Sequence, residues 1–312
     1  MNDSRKPIIV VGSINMDLVA HARQIPVPGQ TVIGTGFDTT PGGKGANQAV
    51  AAARLGYPVK MIGAVGAPRE GNFDVFGQAL LDNLAEAGVD TASVARVSGP
   101  SGIASILVAE NGENSIVVVP GANAKMDCAA IDRQAALIRS AGMVLCQLEL
   151  PLETVRHTLA LCAEAGVPVV LDPAPAAQLP NEAFRQATWF TPNETEAAFY
   201  LGAISAPEQA ARQLLDMGLK GVVLKRGAEG AYVAVAGGKA AWVKPFSVQA
   251  VDTVAAGDCF NGAFAVALLE GQDPWAAARF ASAAAAISVT RRGAQASMPS
   301  RAEVDAFLTA RA

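Results

Sequence analysis

The chain has 312 residues, of which 51% are hydrophobic and 17% charged, with a net charge of −4. That length can bury a sizeable core in one large α/β domain or two smaller ones, and the composition excludes a disordered protein. The negative charge gives no basic footprint for nucleic acid, and no stretch reaches the ~20 uninterrupted apolar residues of a membrane helix.

In chain order, Arg5-Lys6-Pro7 leads into a predicted strand at 8–11, too short an apolar run for a signal-peptide core. Gly12-Ser13-Ile14-Asn15 follows it without the spaced glycines of a dinucleotide fingerprint. Strands are expected at 18–22 and 31–39. A glycine-rich segment, Pro41-Gly42-Gly43-Lys44-Gly45-Ala46-Asn47, then opens a predicted helix at 46–55 that closes at Gly56. Its adjacent glycines allow close backbone approach to a ligand, or a hinge that moves. It is not a Walker A loop, because Asp38 and Gly45 stand where glycine and Ser or Thr are needed.

A strand at 59–62 and a helix at 73–87 precede two hairpin strands at 103–109 and 115–119, turned at Asn111-Gly112. Next come strands at 142–146, 167–171, 189–190 and 222–224, with helices at 152–165, 194–201 and 207–217. This alternation predicts a mostly parallel sheet with helices on both faces. The extra strands at 18–22, 31–39, 103–109 and 115–119 suggest a small sheet over the main sheet's ligand edge, hence a lid.

Near the C-terminus, Asp252-Thr253-Val254-Ala255-Ala256-Gly257-Asp258 runs into a long apolar helical stretch. Backbone N–H groups at a helix start lack intrahelical partners and sit at the positive end of the macrodipole, so such a loop can cradle an anion. Asp258 at that spot places an acceptor for a hydroxyl proton beside a phosphate-sized anion site, as a small-molecule kinase requires. The plainer alternative is an ordinary helix N-terminus with an acidic first turn. The Ala-rich run at 276–289 contains Arg279 and reads as a buried helix.

Cys128, Cys146, Cys162 and Cys259 are widely spaced and read as reduced thiols, and with only His21 and His157 a zinc site or a histidine triad is not expected. The chain therefore reads as a cytoplasmic soluble enzyme or binding protein. In an open α/β sheet ligands bind at the carboxyl ends of the strands, where Asn15, Asp17, Glu149, Asn193 and Asp258 fall. Each has a structural alternative: Glu149 could start a helix before Pro151, Asn193 with Glu196 could form a capping box, and Asp17 could sit in a polar turn.

The glycine-rich loop at 42–47, Thr191-Pro192-Asn193-Glu194-Thr195-Glu196 and the segment at 252–258 together resemble the ribokinase (PfkB-type) family of carbohydrate kinases, over about 8–307. Gly12-Ser13-Ile14-Asn15-Met16-Asp17, Asn47-Gln48-Ala49-Val50-Ala51-Ala52, Gln147-Leu148-Glu149 and Arg292-Gly293-Ala294-Gln295 are similar to its ribokinase branch. The resemblance implies one α/β kinase domain over 1–312 with lid strands inserted at about 17–40 and 103–120. It also implies ATP-dependent phosphorylation of D-ribose at O5, or the same transfer to 2-deoxyribose, a nucleoside or fructose.

By position in the family pattern, Asn15, Met16, Asp17, Gly43, Lys44, Gly45, Ala46, Asn47 and Glu149 would surround the sugar. Asp258 would accept the hydroxyl proton, beside an anion hole of Ala255, Ala256 and Gly257. Asn193 and Glu196 would act near the phosphates and the Mg²⁺ water shell. Lys225, Arg226, Gly227, Ala228, Glu229 and Gly230 would flank the nucleotide with Gly257, and Ser282 would lie near the adenine. An activating K⁺ would bind at Asp252, Val254, Ser288, Arg291, Gly293 and Ser297. The resemblance further implies a homodimer through the lid sheets, with no nucleic-acid or membrane partner.

Lys225-Arg226 departs from a common Thr-Leu pair, Cys259 from a common Thr, and Ser282 from a frequent His or Asn. A catalytically silent sugar-binding regulator on the same fold would be expected to lack Asp258 or Gly257, and both are present.

Overall fold

The computed structural model describes residues 5–67, 73–202 and 206–311. Four β-branched residues in a row form β1 (Ile8–Val11), buried throughout, as a central parallel strand requires. The chain continues through β2 (Asn15–Ala22), β3 (Gly34–Gly42), α1 (Lys44–Arg54), β4 (Val59–Gly66), α2 (Gly77–Glu86), β5 (Val89–Asp90), β6 (Val94–Val97), β7 (Gly102–Ala109) and β8 (Asn114–Val119). It then forms α3 (Cys128–Asp132), α4 (Ala135–Arg139), β9 (Met143–Cys146), α5 (Leu152–Ala165), β10 (Val169–Leu171), α6 (Asn181–Gln186), β11 (Trp189–Phe190), α7 (Glu194–Leu201), α8 (Pro207–Asp216) and β12 (Gly221–Lys225). Last come β13 (Ala231–Val235), β14 (Ala240–Val243), α9 (Ala256–Leu269), α10 (Pro274–Ser288) and α11 (Arg301–Thr309).

The main sheet runs β14-β13-β12-β11-β10-β9-β1-β4-β5, with β6 beside β4, and its pairs are parallel except where β13 meets β12 and β14. Side chains alternate across it with the two-residue strand period. Ile8, Val10, Leu145, Val170 and Val223 pack on the side of α1, α9 and α10. Ile9, Val11, Val144, Leu171, Val222 and Leu224 pack on the side of α5, α6 and α8. Because β1 lies between β4 and β9, successive connections leave it in opposite directions, and the crevice at that switch point is where an open α/β sheet offers a binding site.

A second sheet of four strands, β3-β2-β7-β8, stands apart from the first. Its strand β2 starts at Asn15, just after β1, so this small sheet grows out of the crevice itself. The hairpin expected at 103–119 is present as β7–β8, β2 and β3 form a second antiparallel pair, and β2 and β7 join the two in parallel.

Some boundaries differ from expectation. The strand expected at 31–39 runs instead over Gly34–Gly42, because its register with β2 extends to the Asn15–Gly42 pair. The helix expected at 73–87 starts only at Gly77, since Asp74 accepts from the Gly77 and Ser101 amides, at 2.6 Å each, and ties that entry to the β6–β7 turn. Strands β5, β6, β13 and β14 carry no local strand signal; they are short edge strands or carry alanines where β-branched residues would mark a strand. Among the described residues no helix is long and apolar enough to cross a membrane, and all four cysteines are free.

Candidate active site

Helix α1 opens without a side-chain cap, at Gly43 with φ of 88°. Its first N–H groups find partners across the crevice instead. The Lys44 amide donates to Glu149 Oε2 at 3.0 Å, the Gly45 amide to Ser13 Oγ at 3.3 Å, and the Ala46 amide to the Ser13 carbonyl at 2.9 Å. Ser13 in turn donates its hydroxyl to Glu149. Glycine is required at position 45, where a Cβ would stand 2.6 Å from backbone atoms of Gly12 and Ser13. The β1–β2 loop, the start of α1 and the segment after β9 are thereby stitched into one wall.

Asn123, in the turn after β8, fixes the start of β2. It accepts from the Ile14 amide at 3.0 Å and donates to Asn15 Oδ1 at 2.7 Å. Two residues on, Asp17 is buried; that burial, with the nearby charges of Glu149 and Asp258, pushes its carboxyl up to about 7. Burial alone would lower the Lys44 ammonium. Asp258, Asp172, Glu149 and Glu196 together outweigh it and hold Lys44 above its usual range.

Asp258 stands in the first turn of α9, three residues after Ala255, the one non-glycine among the described residues with positive φ, at 58°. The left-handed residue turns the chain abruptly into the helix, where the Ala256 amide donates back to the Thr253 carbonyl at 3.3 Å. Asp258 accepts from Asn47 Nδ2 at 2.9 Å and from Gln48 Nε2 at 3.1 Å. Burial raises its pKa and the Asp172 charge adds to that, while Lys44 and the two amide donors oppose. Gln48 also donates to Asp172 Oδ2 at 2.9 Å and accepts from Gln147 at 2.8 Å. On the other side Gln295 donates to Asn47 Oδ1 at 3.1 Å and accepts from Asn83.

Against the outer side of the α9 start lies a cleft of about 500 Å³. Lys225, Gly227, Ala228, Gly230, Gly257 and Ser282, all expected beside a nucleotide, line it together. Arg226 and Glu229 do not: Arg226 turns away into ion pairs with Glu194 at 2.6 Å and Glu229 at 2.9 Å. Asn193 and Glu196 form the capping box of α7. Burial raises the Glu196 pKa, opposed first by Lys225, so the same carboxylate that caps a helix also feels the cleft's charges.

Of the six residues implied for a monovalent cation, Asp252 and Gly293 are joined directly, the Gly293 amide donating to Asp252 Oδ2 at 2.8 Å. The other Asp252 oxygen accepts from the Val254 amide at 3.0 Å. The Ser288 and Ser297 hydroxyls donate within their own turns, and Arg291 reaches outward to Glu303. Among the described residues no group of three or more His, Cys, Asp or Glu side chains could hold a metal ion.

The sequence reading did not nominate Ser13, Gln48, Asn123, Gln147, Asp172 or Gln295 for the site. Gln48 carries the clearest signal, a buried glutamine inside an Ala- and Val-rich helix face. Asp172 directly follows the last residue of β10, the strand end where ligands gather.

A buried carboxylate at a helix N-terminus thus separates a polar crevice from an open cleft, a layout suited to passing an anionic group from cleft to crevice. The chain matches the model of the pfkB family carbohydrate kinases over residues 5–301. It is 45% identical over 303 residues to the ribokinase of Bacillus subtilis strain 168, covering 97% of this chain and 99% of that one. The structure resembles that of Thermotoga maritima ribokinase, with a TM-score of 0.88 at 39% identity over 97% of this chain and 99% of the other. It also resembles Arabidopsis thaliana ribokinase complexed with ribose and ATP, with a TM-score of 0.89 at 35% identity and the same coverage of each chain. With that coverage and this ribokinase-like α/β fold, the chain belongs to the pfkB family of carbohydrate kinases.

Proposed function

We propose that this chain is an ATP-dependent ribokinase that phosphorylates the O5 hydroxyl of D-ribose. The observation that carries the residue-level reading is Asp258: it is buried at the N-terminus of α9, and it lies between the crevice of β2 and α1 and the cleft lined by Gly257. Ribose would lie among Asn15, Met16, Asp17, Asn47 and Glu149, with Gly43, Lys44, Gly45 and Ala46 at the helix start. Carboxylates and amides suit a polyol, because each hydroxyl both donates and accepts.

In the transfer, O5 attacks the γ-phosphorus and the bond to the β–γ bridging oxygen breaks. Asp258 takes the hydroxyl proton, and the N–H groups of Ala255, Ala256 and Gly257 meet the charge of the transferring group. A loose phosphoryl-transfer transition state asks for position and charge stabilisation more than for a strong base. ATP would occupy the cleft between Gly227–Gly230 and Ser282.

Magnesium, bound to the phosphates, would neutralise their charge and keep several waters, which Asn193 and Glu196 fit as acceptors in its outer shell. The Asp252 carboxylate accepts one amide on each oxygen and keeps lone pairs for a potassium ion that would brace the loop before Ala255. The lid strands, inserted in a single domain over 1–312, would close over the sugar and exclude water. They would also join two copies into a dimer. A cytoplasmic location fits the free thiols.

The test is ADP release with MgATP and K⁺ across ribose, 2-deoxyribose, fructose and several nucleosides, beside Asp258→Asn. Ribose-dependent turnover lost in the variant supports the reading. A preference for another acceptor keeps the mechanism and replaces the substrate, and no turnover on any acceptor removes the kinase reading.

A further inference from the structure

Lys225 ends β12, and its side chain does not point into solvent. Its Nζ lies 3.0 Å from Asp172 Oδ1, with side-chain exposures of only 13% and 2% for the pair. The strand period explains the meeting. Val223 and Val170 face α9, so Lys225 and Asp172, two residues further along their strands, face it too. The pair spans the end of β11, whose last ladder pair is Leu171–Phe190; the next residue, Thr191, leaves a buried hydroxyl without a protein partner. Above them is the first turn of α9: a Cβ on Gly257 would stand 3.3 Å from Lys225 Nζ. The ammonium therefore sits against the anion-hole turn on its cleft side, while Asp258 faces the crevice side.

We propose that Lys225 is a catalytic cation on the leaving-group side of the phosphoryl transfer. It touches the oxygen that bridges the β- and γ-phosphates, and Asp172 holds it in place before the nucleotide arrives. This rests on the kinase reading above and adds to it a role particular to this chain, whose Lys225 stands where a threonine is common in the family pattern. As the P–O bond breaks, the electron pair stays on the bridging oxygen of ADP and the proton of O5 goes to Asp258. Lys225 gains and loses no proton and meets only the charge that develops on the departing oxygen, where a fixed cation favours the transition state over bound ATP. Asp172 shares Gln48 with Asp258, so one buried chain of contacts, Lys225–Asp172–Gln48–Asp258, ties the leaving side of the transfer to the attacking side.

The difficulty in testing an ion pair is that removing the lysine alone strands a buried carboxylate, which is damaging for structural reasons. The experiment therefore compares Lys225→Met with the double variant Asp172→Asn/Lys225→Met, and both with Lys225→Arg, in ribose-dependent ADP release and in thermal melting. Lys225→Met is expected to melt lower and the double variant to recover. Both are expected to show kcat down on the order of 10²-fold, with the ribose KM unmoved and partial rescue by Lys225→Arg. A double variant whose kcat returns to within about 3-fold of the unaltered chain would make the pair purely structural and overturn the proposal. A loss confined to the ribose KM would overturn it as well. Absence of ribose turnover in the unaltered chain would overturn the parent reading instead, and this one with it.

Discussion

The side-chain amide of Asn47 lies 2.9 Å from the carboxylate of Asp258, 211 positions further along the chain. One residue belongs to the first turn of α1, the other to the first turn of α9, so two helix N-termini converge on a single buried carboxylate. Positive helix ends and amide donors favour the ionised form of a group that burial would otherwise neutralise. Gln295, donating to the other side of the Asn47 amide, sets which end of that amide faces Asp258.

Asp258→Asn should lower kcat by roughly 10²–10⁴-fold, the usual scale for loss of a general base. Relief of the buried charge is opposed by the loss of one acceptor, because each Asp258 oxygen takes an amide N–H that the new amide nitrogen cannot, so melting should move little. Single-turnover rates together with calorimetry check both halves.

Asp17 should give the sugar site a pH dependence. Its carboxyl is raised from 3.8 to about 7, so in the empty site it carries a proton below that pH and becomes a pure acceptor above it. The ribose KM should therefore fall as pH rises through about 7, and Asp17→Asn should flatten the profile. The stability sign is opposite. The folded chain holds a proton that the unfolded chain releases near 3.8, so the contribution of Asp17 to stability declines between pH 3.8 and about 7. Melting curves across that window, with and without Asp17→Asn, test it.

Gly45→Ala should damage binding more than its size suggests. The new methyl group would stand 2.6 Å from the Gly12 and Ser13 backbone, so α1 must shift off the crevice wall. A loss of about 1–3 kcal/mol in stability is expected from such overpacking. A raised ribose KM should accompany it, read by denaturant titration and steady-state kinetics.

Potassium should raise activity. The Asp252–Gly293 hydrogen bond joins the loop before Ala255 to the loop after α10, so a cation there would steady the anion hole without touching substrate. Equal rates in K⁺ and in K⁺-free Tris would contradict this, and Asp252→Ala should abolish any difference between the two buffers.

The lid should mediate dimer formation. Every residue of β8 is exposed, with Ile116 at 52% and Val117 at 62%, an apolar edge that a partner would cover. Val117→Glu should shift the sedimentation coefficient from dimer to monomer. An unaltered chain that sediments as a monomer at every concentration would refute the expectation.

Much of the frame is legible from the chain alone. Ile8-Ile9-Val10-Val11 announces a central strand, and the Asn111-Gly112 turn announces the outer lid hairpin. The site is legible where a backbone requirement leaves a mark, as at Gly43 and Gly45. It is not legible where a residue matters only for what the fold brings beside it. Gln48 is simply a helical glutamine until α9 packs on α1, and Asn123 acquires a role only because the lid returns its turn to the start of β2. Strands such as β14, Ala240–Val243, lack a local pattern because the neighbouring strand, and not their own side chains, defines them.

The position of β1 has a cost during synthesis. Strand β1 is made well before β9 yet lies in the middle of the main sheet, with β4 on one side and β9, at Met143–Cys146, on the other. Until the ribosome has delivered β9, one edge of an entirely apolar strand has no partner and is open to pairing with other nascent chains. Soluble yield should thus depend on how quickly translation outruns such encounters, and weak induction, which keeps few nascent chains together at once, should favour the folded protein.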